Sequence, residues 1–145
     1  MYNESKGLIQ IVVPNSPTRI KVPNKYISAK SYECTPHQRQ ELDSYRDATG
    51  KLHRNTLSHT VTKVEFNTPP MLEADLREFQ NLLNMAQINS LERKGVFIFY
   101  CFDTGEYEQA TCYIPDITFT PLKRLKINGS VKVVMDKTRV AFIEY

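Results

Sequence analysis

The chain has 145 residues, 41% of them hydrophobic and 24% charged, which excludes a disordered or low-complexity polypeptide and permits one core burying roughly 68–70% of the unfolded surface without staples. Its 19 basic and 16 acidic residues give a formal net charge of +3 and are interspersed along the chain, which excludes a basic tail as a sufficient argument for nucleic-acid binding. The apolar runs fall far short of the roughly 20 residues that cross a bilayer, and Met1 to Lys6 lack a signal-peptide pattern, so neither membrane insertion nor general secretion is expected.

In chain order, Gly7 opens the run Leu8 to Val13, a strand that Pro14 closes because proline donates nothing to a ladder. Asn15-Ser16-Pro17 is a turn, and Thr18 to Val22 is extended until Pro23, so the two pieces make an arm or an edge hairpin. Tyr26 to Tyr32 reads as a further strand. From Cys34 to Ser58 the periodicity is lost among polar residues, and the segment 34–59 is expected to be a loop centred on Gly50, projecting from a single domain that spans 1–145. Thr60 to Phe66 alternates, with Thr62, Val64 and Phe66 on one face and Lys63 and Glu65 on the other, the period of a half-buried strand.

Thr68-Pro69-Pro70 reads as a helix start, with threonine as the cap and proline in the first turn. Leu72, Leu76, Phe79, Leu83 and Ala86 then recur at spacings of three and four, which predicts an amphipathic helix ending before Gly95. Val96 to Phe102 is a continuous apolar run suited to a central strand. Asp103-Thr104-Gly105 turns it into Glu106 to Ile114, with Tyr107, Thr111 and Tyr113 on one face. Asn128-Gly129 joins Leu125 and Ile127 to Val131 and Val133, a strong hairpin signal, and Asp136-Lys137 turns the chain into Val140 to Tyr145. About eight strands and one helix, with no repeated βα unit, define a mainly β protein: an antiparallel β-sandwich or split barrel with one flanking helix.

Few residues fall into patterns that carry chemistry. Cys34 and His37 share a zinc-like offset but lack a second pair, and the odd count of three cysteines, none in a CxxC pair, fits reduced thiols in a cytosolic site of folding. Cys101 and Cys112 could meet across their hairpin. There is no nucleophile elbow, no HExxH and no glycine-rich phosphate loop, so neither a catalytic site nor a cofactor is expected. The pair Glu106 and Glu108 shares a strand face turned to solvent. Lys123, Arg124 and Lys126, with Lys132 and Lys137 nearby, could line a groove while Tyr100, Tyr107 and Tyr113 stack bases, so a small nucleic-acid-binding β-barrel is the alternative reading.

The succession of four segments resembles the small structural proteins of Gram-positive phage and prophage tails. They are the loop Tyr45-Arg46-Asp47-Ala48-Thr49-Gly50-Lys51-Leu52-His53-Arg54, the strand Thr62 to Phe66, the helix Asp75 to Leu83, and the stretch Phe102 to Tyr107 running on to Cys112 through Ile117. That resemblance implies a tail-tube or baseplate-hub fold, in which subunits join into rings by pairing sheet edges and a long loop reaches a neighbour. It makes Tyr45, Arg46, Lys51 and Arg54 candidate loop contacts. It makes the strands carrying Lys63 and Glu65, and Val140 and Phe142, candidate pairing edges. The implied partners are further copies of the chain and other tail proteins, in the virion after folding in the host cytoplasm, with DNA only as passing cargo. One departure is the sign of the charge: a DNA-conducting lumen tends to be acidic, and this chain is slightly basic, which leaves a baseplate or tail-completion subunit open beside the tube.

Overall fold

The computed structural model describes residues 1–145, except for the side chains of Gln40 and Leu57. Strand β1 (Ile9–Val12) and strand β2 (Arg19–Lys21) form an antiparallel hairpin. The expected strand from Tyr26 to Tyr32 is instead two 3-10 turns, Asn24–Tyr26 and Ala29–Ser31. Side-chain bonding replaces a ladder there: the Ser31 hydroxyl donates to the Ser28 carbonyl at 2.6 Å and accepts the Asn67 amide at 2.7 Å. Ser and Asn compete with regular pairing in this way.

The segment 34–59 is not an irregular loop. Strand β3 (Glu33–Arg46) and strand β4 (Leu52–Asn67) pair antiparallel through most of it, with register shifts between Thr35 and Gln38 and twice more between Arg39 and Asp43. The alternation is lost because the outer part of this hairpin has water on both faces, and bulges break what period remains.

Short strand β5 (Met71–Leu72) precedes helix α1 (Glu73–Asn84). Thr68 is not the cap. Its hydroxyl accepts the Thr138 amide at 3.1 Å, and its own amide donates to the Thr138 carbonyl at 2.8 Å, with both threonines buried. With that hydroxyl engaged, the helix begins five residues later, where Glu73 and Asp75 complement the dipole. Leu76, Phe79 and Leu83 form its buried stripe, at the expected three- and four-residue spacing.

The remaining elements are β6 (Gln87–Asn89), β7 (Lys94–Cys101), β8 (Glu106–Tyr113), β9 (Pro121–Ile127), β10 (Ser130–Met135) and β11 (Arg139–Glu144). Asn128 and Gly129 both adopt positive φ, 50° and 80°, and set the β9–β10 hairpin so that Ile127 faces Ser130, as a two-residue primed turn requires. Gly95 serves a close approach: a Cβ there would lie 2.5 Å from the Ala86 carbonyl oxygen.

Two antiparallel sheets result. The larger runs β2-β1-β7-β8-β11-β4-β3, with β6 also on β7, and the smaller runs β5-β10-β9. The larger does not close on itself, since β2 and β3 are its ends, so the molecule is a mainly β sandwich with one helix rather than a closed barrel. The central strand β7 is buried almost throughout. Phe97, Phe66 and Phe142 of the large sheet meet Phe79 of α1 in a chain of ring contacts: Phe97–Phe142 at 4.4 Å, Phe66–Phe142 at 6.1 Å and Phe66–Phe79 at 6.1 Å. Aromatic pairs at such separations add to the energy of burial.

Candidate assembly surface

The outer part of the β3–β4 hairpin carries its own internal bonding. At its tip Asp47 Oδ1 accepts three hydrogen bonds, from the Thr49 amide at 2.9 Å, the Thr49 hydroxyl at 2.6 Å and the Lys51 amide at 3.1 Å. Its Oδ2 lies 2.9 Å from His53 Nε2. Below the tip, Tyr45 stacks on His53 with ring centroids 4.9 Å apart and planes 13° apart, a cross-strand pair on the ladder. Arg46 donates to the Gly50 carbonyl at 2.9 Å, and Arg54 pairs with Glu41.

Of the four expected loop contacts, then, Arg46 and Arg54 are engaged within the hairpin, Tyr45 presents its outer face, and Lys51 is exposed. Leu42, Tyr45 and Leu52 are 63%, 57% and 45% exposed, an apolar presence on a two-stranded projection. The two leucines are hard to single out in sequence because they sit among polar neighbours; only the ladder shows that both belong to one hairpin.

The bonds from Thr49 and His53 hold the Asp47 carboxyl down at about 2, because they favour its ionised form. A depressed carboxylate stabilises the fold fully above its unfolded value and loses that contribution as pH falls through the folded one. The expected result is that protection of the Thr49 and Lys51 amides from hydrogen exchange persists down to about pH 4 and collapses between about pH 4 and pH 2. In Asp47→Asn it should be weak throughout, and protection unchanged by that substitution would show that the turn does not depend on the carboxylate.

The expected pairing edges fare differently. Lys63 and Glu65 lie on β4, which is bonded to β3 on one side and to β11 on the other at these residues, so that strand is interior. Val140 and Phe142 lie on β11 with only 1% exposure each, their side chains in the core. Alternation identifies a half-buried strand but is silent on how many neighbours it has. β11 joins β8 only at Ile143 and Glu144, and beyond that pair Arg139 and Ala141 face Pro115, Asp116 and Thr118 across a cleft of ≈ 360 Å³. The strands with one partner are β2, β3 and β6 in the larger sheet and β9 and β5 in the smaller. β3 is the long one, with 14 residues.

The features of the alternative reading are dispersed. On the β9–β10 ladder Arg124 faces Val133 and Lys126 faces Val131, while Lys123 faces Val134 and Lys132 faces Leu125. Successive residues of a strand point to opposite faces, so the cations divide between both sides among apolar neighbours. The tyrosines are engaged internally: Tyr100 packs on Tyr107 at 5.1 Å, Tyr107 donates to the Gly7 carbonyl at 2.7 Å, and Tyr113 meets Tyr145 at 5.5 Å.

Cys34 and His37 take different partners. The Cys34 sulfur lies 3.6 Å from that of Cys101, and the His37 ring sits between Asp103 at 3.5 Å and Glu108 at 3.1 Å. Cys101 and Cys112 do not meet either, since Cys101 faces Glu106 at one end of the β7–β8 ladder and Cys112 faces Gly95 toward the other.

The chain is similar in fold to a solved structure, a chain from the tail of an empty GTA (gene transfer agent) particle determined by helical refinement with C6 symmetry. The two are 14% identical, align over 100% of this chain and 95% of that one, and reach a TM-score of 0.52, which establishes a common fold. Residues 15–145 match the model of the family of unknown function DUF6711, and the chain belongs to that family. No curated protein matches it.

Proposed function

We propose that this chain is a structural, non-enzymatic subunit of a phage-like tail, joined with copies of itself into a sixfold ring and located in the tail of the particle. The observation that carries the reading is the end-to-end likeness in fold to a tail chain of C6 symmetry, covering nearly all of both chains. A long hairpin with exposed Leu42, Tyr45 and Leu52 supports it: Leu52 faces Arg46 while Tyr45 faces His53, so the projection offers apolar groups from both of its faces. In the ring the hairpin reaches the neighbouring copy through Tyr45, Lys51 and the two leucines. The free edge of β3 receives a strand from that neighbour, since an open edge of this length is a template for pairing. Arg46 and Arg54 hold the hairpin in the shape that docks.

Within the tail, the net charge of +3 favours a terminating ring, in the baseplate or at a tail end, over the repeating lining of a DNA-conducting tube. The nucleic-acid-binding reading has less support, because its cations are split between two faces and its tyrosines are spent on internal packing.

Negative-stain electron microscopy of the concentrated protein tests the proposal. Closed rings, single or stacked, with sixfold class averages are expected. A field of small featureless particles at every loading would overturn self-assembly.

A further inference from the structure

Cys34 and Cys101 lie 67 positions apart in sequence, with sulfurs 3.6 Å apart. Cys34 is the second residue of β3 and is half-exposed, whereas Cys101 ends β7 and is buried. The backbones that carry them are held together by neighbouring groups. The Tyr32 hydroxyl donates to the Tyr100 carbonyl at 2.9 Å, and the Tyr32 ring meets Phe102 edge-on at 6.1 Å. A disulfide has its sulfurs about 2.05 Å apart, so the two need approach by only roughly 1.6 Å, within reach of side-chain rotation.

We propose that Cys34 and Cys101 form a dithiol redox site, which a small disulfide oxidant converts to an intramolecular disulfide stapling the base of the long hairpin to the core. The inference stands on this chain alone and does not depend on the proposed tail function. The half-exposed Cys34 thiolate attacks one sulfur of oxidised glutathione, the S–S bond breaks, and one glutathione thiolate leaves. The Cys101 thiolate then attacks Cys34 Sγ, forming the protein disulfide and releasing the second glutathione. Two protein thiols are oxidised to one disulfide, one glutathione disulfide is reduced to two thiols, and the two thiol protons pass to solvent and are taken up by the leaving thiolates.

Burial raises the affinity of both thiols for their protons; Asp103 and Glu108 reinforce this at Cys34, and Cys34 and Glu108 do so at Cys101. The exchange therefore accelerates as pH rises. Cys112, buried and with its thiol pushed up to about 12, lies toward the other end of the ladder and takes no part.

The test is incubation of the folded protein with oxidised glutathione in mildly alkaline buffer, followed by intact-mass and thiol analysis. The expected product has lost two hydrogens, keeps one of its three thiols, yields a Cys34–Cys101 linked peptide, and melts on the order of 10 °C higher than the reduced form. Cys112→Ser should undergo the same two-hydrogen loss, and Cys34→Ser should not. Persistence of a Cys34–glutathione adduct without ring closure, a disulfide that includes Cys112, or no reaction under conditions that oxidise the urea-unfolded chain would each overturn the proposal.

Discussion

Phe142→Ala is expected to lower the free energy of unfolding by about 3–5 kcal/mol, the range for truncating a buried aromatic. Phe142 is 1% exposed, and its ring is the link between Phe97 of the central strand and Phe66 of β4, which in turn meets Phe79 of the helix. Removing it opens a void that β11 cannot close, because that strand is pinned by pairing to β4 from Arg139 to Ile143. A urea titration should show a lower midpoint with an unchanged slope, the mark of lost stability rather than an altered denatured state. The free energy is a large fraction of what a domain of this size possesses. A loss under about 1 kcal/mol would mean that Phe142 is not central to the core.

The second large effect concerns assembly. Asp43 and Asn55 face each other across the hairpin, so replacing Ser44 through Arg54 by Asn-Gly leaves a strand pair of matched register closed by a two-residue turn. The segment removed is two-stranded, and its ion pair between Arg54 and Glu41 is solvent-exposed; exposed pairs contribute about 0–1 kcal/mol. The variant is expected to unfold within about 1 kcal/mol of the parent, yet to run in light scattering as a single chain where the parent runs as a ring. Assembly undiminished by the truncation would remove the hairpin from the interface, and a variant that fails to fold would show that the hairpin belongs to the core.

These two predictions fall on parts of the chain whose legibility in sequence differs for physical reasons. The second half was readable because its signals are local: Asn128-Gly129 fixes a turn by its own backbone freedom, and Val96 to Cys101 is apolar because the strand is buried, while Phe102, expected in the same strand, lies past its end and is 65% exposed. The helix stripe was readable for the same reason, but its start was not, since only the fold brings Thr138 to the Thr68 hydroxyl. The hairpin was hidden because alternation records a difference between faces, and its outer part has water on both. Lys63 and Glu65 show the limit from the other side: their strand was evident and its two neighbours were not. The Cys34–Cys101 pair joins residues 67 positions apart and leaves no local trace at all. Of the candidate contacts, Tyr45 and Lys51 remain available to a partner, while Arg46 and Arg54 turned inward to bonds that a list of polar residues cannot reveal.

Closure of copies of this chain into a ring is decided by the molar mass of the purified protein in solution, measured by light scattering across a wide range of concentration. A species of about six times the 16.8 kDa of one chain, or stacks of that unit, is expected to appear as concentration rises. A mass of one chain at every concentration would contradict it.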